Sequence, residues 1–139
     1  MPDRIAVVGA GQMGNGIAHV FAQSGFDVVM VDVTDAALAK GRETITKNLD
    51  RQVKKGTLTD ADKASVLGRV ATSTSMDAIA GAALVVEAAT ENRDLKFRIF
   101  REMDAKADAG AVLATNTSSI SITEIAAQTK RAGDRKSVV

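Results

Sequence analysis

The sequence predicts an α/β domain built on a doubly wound parallel sheet. Short apolar runs alternate with longer stretches of helical spacing along the chain. The short runs are apolar at nearly every position rather than at every second one, which marks strands covered on both faces. Right-handed crossovers between such strands give the order 3-2-1-4-5.

Residues 4–8 read as a buried strand. A helix over 12–24 carries Ile17, Val20, Phe21 and Ser24 on its inward face, and Gly25 fits its stop. Residues 28–33 form the second strand, which Asp32 closes. Thr34 or Asp35 caps a long helix to about Lys55, with Leu38, Ile45, Leu49 and Val53 on one face, and Gly56 ends it. Thr59 opens a shorter helix to about Leu67. This helix pair is a large insertion between strands 2 and 3. A weak third strand at 70–72, a helical turn at 75–79 and a fourth strand at 84–88 come next. Asp94 caps a helix over 95–107, the fifth strand is 112–115, and Ser121 with Glu124 makes a capping box for a last helix.

Composition bounds the function classes. A chain of 139 residues suits one domain, and at this size it buries roughly 70% of the surface it exposes unfolded. Apolar residues at 45% and charged residues at 25% are ordinary for a globular domain. The formal net charge is +1, with Lys and Arg scattered among Asp and Glu, so charge gives no case for nucleic acid or an anionic membrane. The sequence has no cysteine, hence no disulfide framework and no thiolate metal site. No stretch approaches the roughly 20 apolar residues of a membrane span, and no signal peptide is expected at the start. The expected compartment is the cytoplasm.

Gly9, Gly11 and Gly14 form G-x-G-x-x-G between the first strand and the first helix. Gly9 permits the tight turn. Gly11 lets a pyrophosphate approach the backbone, and Gly14 lets helix and strand pack closely. Asp32 follows about 20 residues on, where a carboxylate accepts the ribose hydroxyls and repels a 2′-phosphate. This reading favours NAD over NADP; the alternative for Asp32 is a solvated strand-end acid or a helix cap. Arg42 lies too deep in the next helix to clamp a 2′-phosphate. Two further polar segments, "EAATEN" from Glu87 and "NTSS" from Asn116, follow strands 4 and 5 and fall at the same carboxyl edge, where such sheets bind ligands. Read plainly, "NTSSIS" is a connection rich in capping residues, and Glu91 and Lys96 are a solvated helix start.

"VVGAGQMGNGIA", "VVMVDV", "VVEAATEN" and "LATNTSSISITEIA", with the helix pair around "KNLDRQVKKGTLT", together resemble the Rossmann-like N-terminal half of the 3-hydroxyacyl-CoA dehydrogenases, the bacterial 3-hydroxybutyryl-CoA enzymes above all. The resemblance runs from Arg4 to Arg131. It implies oxidation of the 3-hydroxyl of an acyl-CoA, with hydride passed to NAD, in fatty acid or butanoate metabolism. It puts Gly9, Gly11, Gln12, Met13, Gly14, Asp32 and Ala88 on NAD, and Glu91 and Lys96 near the nicotinamide-side ribose. Asn116 then sits in the active-site crevice, and Ser118 hydrogen-bonds the reacting oxygen of the substrate. Lys55 and Asn48 meet the coenzyme A portion; the alternative for Lys54 and Lys55 is charge complementing the helix dipole.

Hydride leaves carbon only as the hydroxyl proton is removed, and a base with a pKa near the working pH does this best. Serine is not such a base. The family resembled uses a His after the next strand, with a downstream Glu. After Arg131 this sequence reads "AGDRKSVV", and its single histidine, His19, lies in the first helix, where a structural role is expected. The expectations are therefore an NAD-binding domain over 1–131, a non-native or disordered tail over 132–139, and no C-terminal helical domain. NAD binding without turnover follows, as does loss of the homodimer contacts that the second domain supplies in the family. The other readings are a stand-alone NAD-binding module and a related hydroxyacid or sugar-acid dehydrogenase.

Overall fold

The computed structural model describes residues 4–90 and 92–115. Strands β1 (Arg4–Val8), β2 (Asp27–Val31), β3 (Val70–Ser73), β4 (Leu84–Glu87) and β5 (Val112–Thr115) form one five-stranded sheet in the order β3-β2-β1-β4-β5. Every neighbouring pair is parallel. Helices α1 (Gln12–Gln23), α2 (Asp35–Lys54), α3 (Asp60–Gly68) and α4 (Arg93–Lys106) connect them, with a 3-10 turn at Met76–Ile79. This is the topology expected from the sequence, with α2 and α3 inserted between the second and third strands. The capping box at Ser121 and Glu124 lies outside the described residues.

Alternation along the strands sends side chains to two cores. Ile5, Val7, Val28, Met30 and Val70 pack with Ala18 and Ala22 of α1, Leu38, Ile45 and Leu49 of α2, and Val66 of α3. Ala6, Val8, Val29, Val31, Val85 and Leu113 pack on the other face against Phe100 and Met103 of α4. Each fully buried Val, Leu or Ile contributes about 1.5–3 kcal/mol, which is why the strands are apolar on both faces.

Three local expectations are corrected. The inward face of α1 is not the one carrying Val20, which is 64% exposed, while Ile17 and Phe21 are half-buried at its margin. The buried residues are Gly14, Asn15, Ala18, His19 and Ala22. The helix leaves β1 so abruptly that only small residues fit beneath it: a Cβ on Gly14 would stand 1.9 Å from the Gly9 carbonyl oxygen. Strand β2 ends at Val31, so Asp32 lies just beyond it. Asn92, rather than Asp94, caps α4: its Oδ1 accepts the Leu95 N–H at 3.0 Å, leaving Asp94 in the first turn, where its charge suits the positive helix end.

The insertion is held by caps and by arginine. Thr34 caps α2 by accepting the Ala37 N–H at 3.1 Å, and Thr59 with Asp62 makes a capping box on α3. The Arg42 guanidinium donates to the carbonyls of Val70 at 2.6 Å and Leu67 at 3.0 Å, joining α2 to the α3–β3 connection. Arg69 donates to the Ala22 carbonyl at 2.8 Å and ties that connection to α1.

Candidate functional site

Strand order reverses between β1 and β4, so a crevice opens above their carboxyl ends. The chain leaves β1 at Gly9 with φ +113°, a conformation that side-chain-bearing residues rarely adopt. The Gly9 N–H donates to the Val31 carbonyl at 2.7 Å. A Cβ there would stand 2.8 Å from both the Ala88 carbonyl oxygen and the Ala89 Cα, so the loop after β4 presses directly on the glycine turn. Gly11 is the N-cap of α1 and supplies no side-chain cap. Nothing lies within 4 Å of where its Cβ would be. The first turn of the helix therefore faces open space with bare main chain, the arrangement that suits an anion.

Asp32 reaches back to this turn. Its Oδ2 accepts the Ala10 N–H at 2.8 Å and its Oδ1 accepts the Val33 N–H at 2.7 Å. The carboxylate thus both faces the crevice and braces the glycine loop, and it caps no helix. Two other residues brace the same loop and carry no signal in the motif. Asn15 donates from Nδ2 to the Gly11 carbonyl at 2.7 Å. Gly41 of α2 packs so close that a Cβ would stand 2.7 Å from the Ala10 carbonyl oxygen. The available clue for both was incongruity: an asparagine inside one helix and a glycine inside another, each unfavourable there without a reason.

Two cavities share Gly9, Asp32 and Ala89 as walls. One, of about 520 Å³, runs over Gly11 and Gln12 to Lys40 and Thr44 of α2. The other, of about 400 Å³, lies between Val33, Met76, Leu95 and Ile99 and has Arg98 at its side. Each is within the size range of small-molecule sites, and each combines apolar walls with charged and polar side chains, which suits a phosphate-linked nucleotide. The site residues therefore fit NAD: bare main chain at Gly11 that suits an anion, a carboxylate acceptor at Asp32, and a slot beyond Val33 walled by Met76, Leu95 and Ile99.

The remaining expected site residues are placed as follows. Gly14 is buried beneath the loop. Met13 is 55% exposed and, like Ala88, lines neither cavity. Lys96 is not a solvated helix start: its side chain has no exposed surface and pairs with the equally buried Glu87 carboxylate. Lys55 is the C-cap of α2, and Asn48, two turns earlier, accepts from Arg51 at 3.3 Å; neither lines a crevice cavity. His19 is 8% exposed and its Nε2 lies 2.8 Å from Gln23 Oε1, within α1. Glu91, Asn116 and Ser118 lie outside the described residues. No helix among the described residues is long and apolar enough to cross a membrane.

Comparison with known proteins agrees with this geometry. Residues 4–138 match the model of the 3-hydroxyacyl-CoA dehydrogenase, NAD binding domain. The chain is 47% identical over 128 residues to a 3-hydroxybutyryl-CoA dehydrogenase of Bradyrhizobium diazoefficiens, covering 92% of this chain and 44% of the relative. It is 40% identical over 128 residues to one from Clostridioides difficile, covering 92% and 46%. Among solved structures, the (S)-3-hydroxybutyryl-CoA dehydrogenase of Ralstonia eutropha superposes with a TM-score of 0.92 at 51% identity, over 95% of this chain and 47% of that one. The chain thus spans about half the length of the relatives it matches. A glycine turn, an acid facing the same crevice and a matching family model over nearly the whole sequence agree: the chain belongs to the 3-hydroxyacyl-CoA dehydrogenase family and carries its NAD-binding domain.

Proposed function

We propose that this chain is the cofactor half of an enzyme that transfers hydride between the 3-hydroxyl carbon of an acyl-CoA, of 3-hydroxybutyryl type, and NAD. The observation that carries the reading is the open main chain at Gly11 facing the Asp32 carboxylate across one cavity. The pyrophosphate lies along Gly11 and Gln12, and Asp32 accepts the adenosine ribose hydroxyls with the lone pairs that its two loop hydrogen bonds leave free. When bound, NAD supplies the hydride acceptor. Glu91 serves the nicotinamide side, with Lys96 acting behind it through its buried pair with Glu87, Asn116 and Ser118 orient the reacting oxygen, and Asn48 and Lys55 meet coenzyme A. The names of the relatives support this acyl-CoA assignment.

The same reading has this chain bind NAD without turnover. The sequence holds one histidine, and His19 is buried in α1 with Gln23 as its partner. That leaves no imidazole to take the hydroxyl proton at the crevice.

The test pairs calorimetric titration of NAD and NADP with an assay of acetoacetyl-CoA reduction by NADH. NAD binding, much weaker NADP binding and no reduction are expected. Absence of NAD binding by the folded chain would end the whole reading. Reduction of acetoacetyl-CoA would overturn the claim of inactivity alone.

A further inference from the structure

Glu87 and Lys96 are the charged side chains that have no exposed surface among the described residues. Neither lines a crevice cavity. Glu87 ends β4, in register with Val8 of β1 and Thr115 of β5. Its Oε1 takes the Lys96 ammonium and the Thr115 hydroxyl, the latter at 2.9 Å. Its Oε2 turns the other way and accepts the N–H groups of Ala89 at 2.8 Å and Thr90 at 3.4 Å. One carboxylate therefore joins β5, α4 and the loop after β4.

That loop is the far wall of the site. Ala88 and Ala89 are the atoms that a side chain on Gly9 would strike, and Ala89 lines both cavities. A buried ion pair is a poor device for stability, since a well-packed apolar pair of similar volume holds as well or better. What an apolar pair lacks is an acceptor for the two loop N–H groups. We propose that Glu87, held by Lys96 and Thr115, is a positioning residue for the dinucleotide: it fixes the backbone of residues 88–90 against the glycine turn. By that means it sets the affinity for the half of NAD beyond the pyrophosphate.

The inference rests on NAD binding in this crevice and predicts an asymmetry within the ligand. Asp32 follows β2, on one side of β1, whereas residues 88–90 follow β4 on the other. AMP stays on the Asp32 side of the glycine turn, where Ala89 is the one wall residue drawn from 88–90; NAD spans both sides. The experiment measures NAD and AMP dissociation constants for the wild-type chain, Glu87→Gln and Thr115→Val, with amide exchange at Ala89 and Thr90. Glu87→Gln is expected to weaken NAD about tenfold and AMP less than about twofold, with faster exchange at both amides. Thr115→Val keeps the ion pair and the fold if Glu87→Gln does not fold, and is expected to weaken NAD about threefold with AMP unchanged. Equal weakening of both ligands, or unchanged NAD affinity in a folded variant, would overturn the inference while leaving the NAD assignment intact. Absence of NAD binding by the wild-type chain would overturn both.

Discussion

Asp32 accepts the Ala10 N–H at 2.8 Å and the Val33 N–H at 2.7 Å, so its removal loosens the glycine loop and takes the carboxylate from the crevice together. Asp32→Ala is expected to weaken NAD by about 2 kcal/mol, roughly 30-fold in Kd by calorimetry. The glycines separate ligand contact from packing. Gly11→Val adds bulk where nothing of the protein lies within 4 Å. It should cost about 1 kcal/mol of stability or less while abolishing NAD binding. Gly14→Ala drives a methyl group into the Gly9 carbonyl and should cost about 3 kcal/mol in urea melts. The positions that meet at the crevice from Gly9 to Asp32 were legible because a short spacing between a strand and a helix fixes their placement. The Glu87–Lys96 pair was not, because nothing in a nine-residue separation says that β4 and α4 aim both side chains into one core.

Helices show which part of a pattern is local. Leu38, Ile45 and Leu49 on α2 were legible because a long, well-separated helix buries its bulky stripe. In α1 the bulky stripe lies at the margin, because close approach to the sheet selects Gly14, Ala18 and Ala22 instead. Such closeness is a property of the partner surface, which periodicity does not record. Gly41 belongs to the same category and gives a paired test. Gly41→Ala gains helix propensity of about 1 kcal/mol but meets a backbone carbonyl at 2.7 Å. The clash wins, and the variant should lose about 1–2 kcal/mol and bind NAD less well. Gly68→Ala at the end of α3 meets nothing within 4 Å. It should gain about 0.5 kcal/mol with NAD binding unchanged, read by denaturation and calorimetry.

For the molecule as a whole, the order of the five strands was legible because parallel strands and right-handed crossovers leave few arrangements. The pair of cavities was not, since their shared wall of Gly9, Asp32 and Ala89 draws on β1, β2 and β4 at once. Coupling between site and fold is expected through mass action. NAD at about 100 times its Kd should add about 2.7 kcal/mol and raise Tm by roughly 10 °C in a thermal melt, with little effect from NADP. A larger shift with NADP would place the ribose away from Asp32.

The most direct measurement is an amide chemical-shift map of the chain during NAD titration. With NAD seated on the glycine turn and Asp32, saturable shifts are expected to concentrate at Ala10, Gly11, Gln12, Val33 and Ala89, with α3 unaffected. Shifts absent from that set, or centred on another surface, would contradict it.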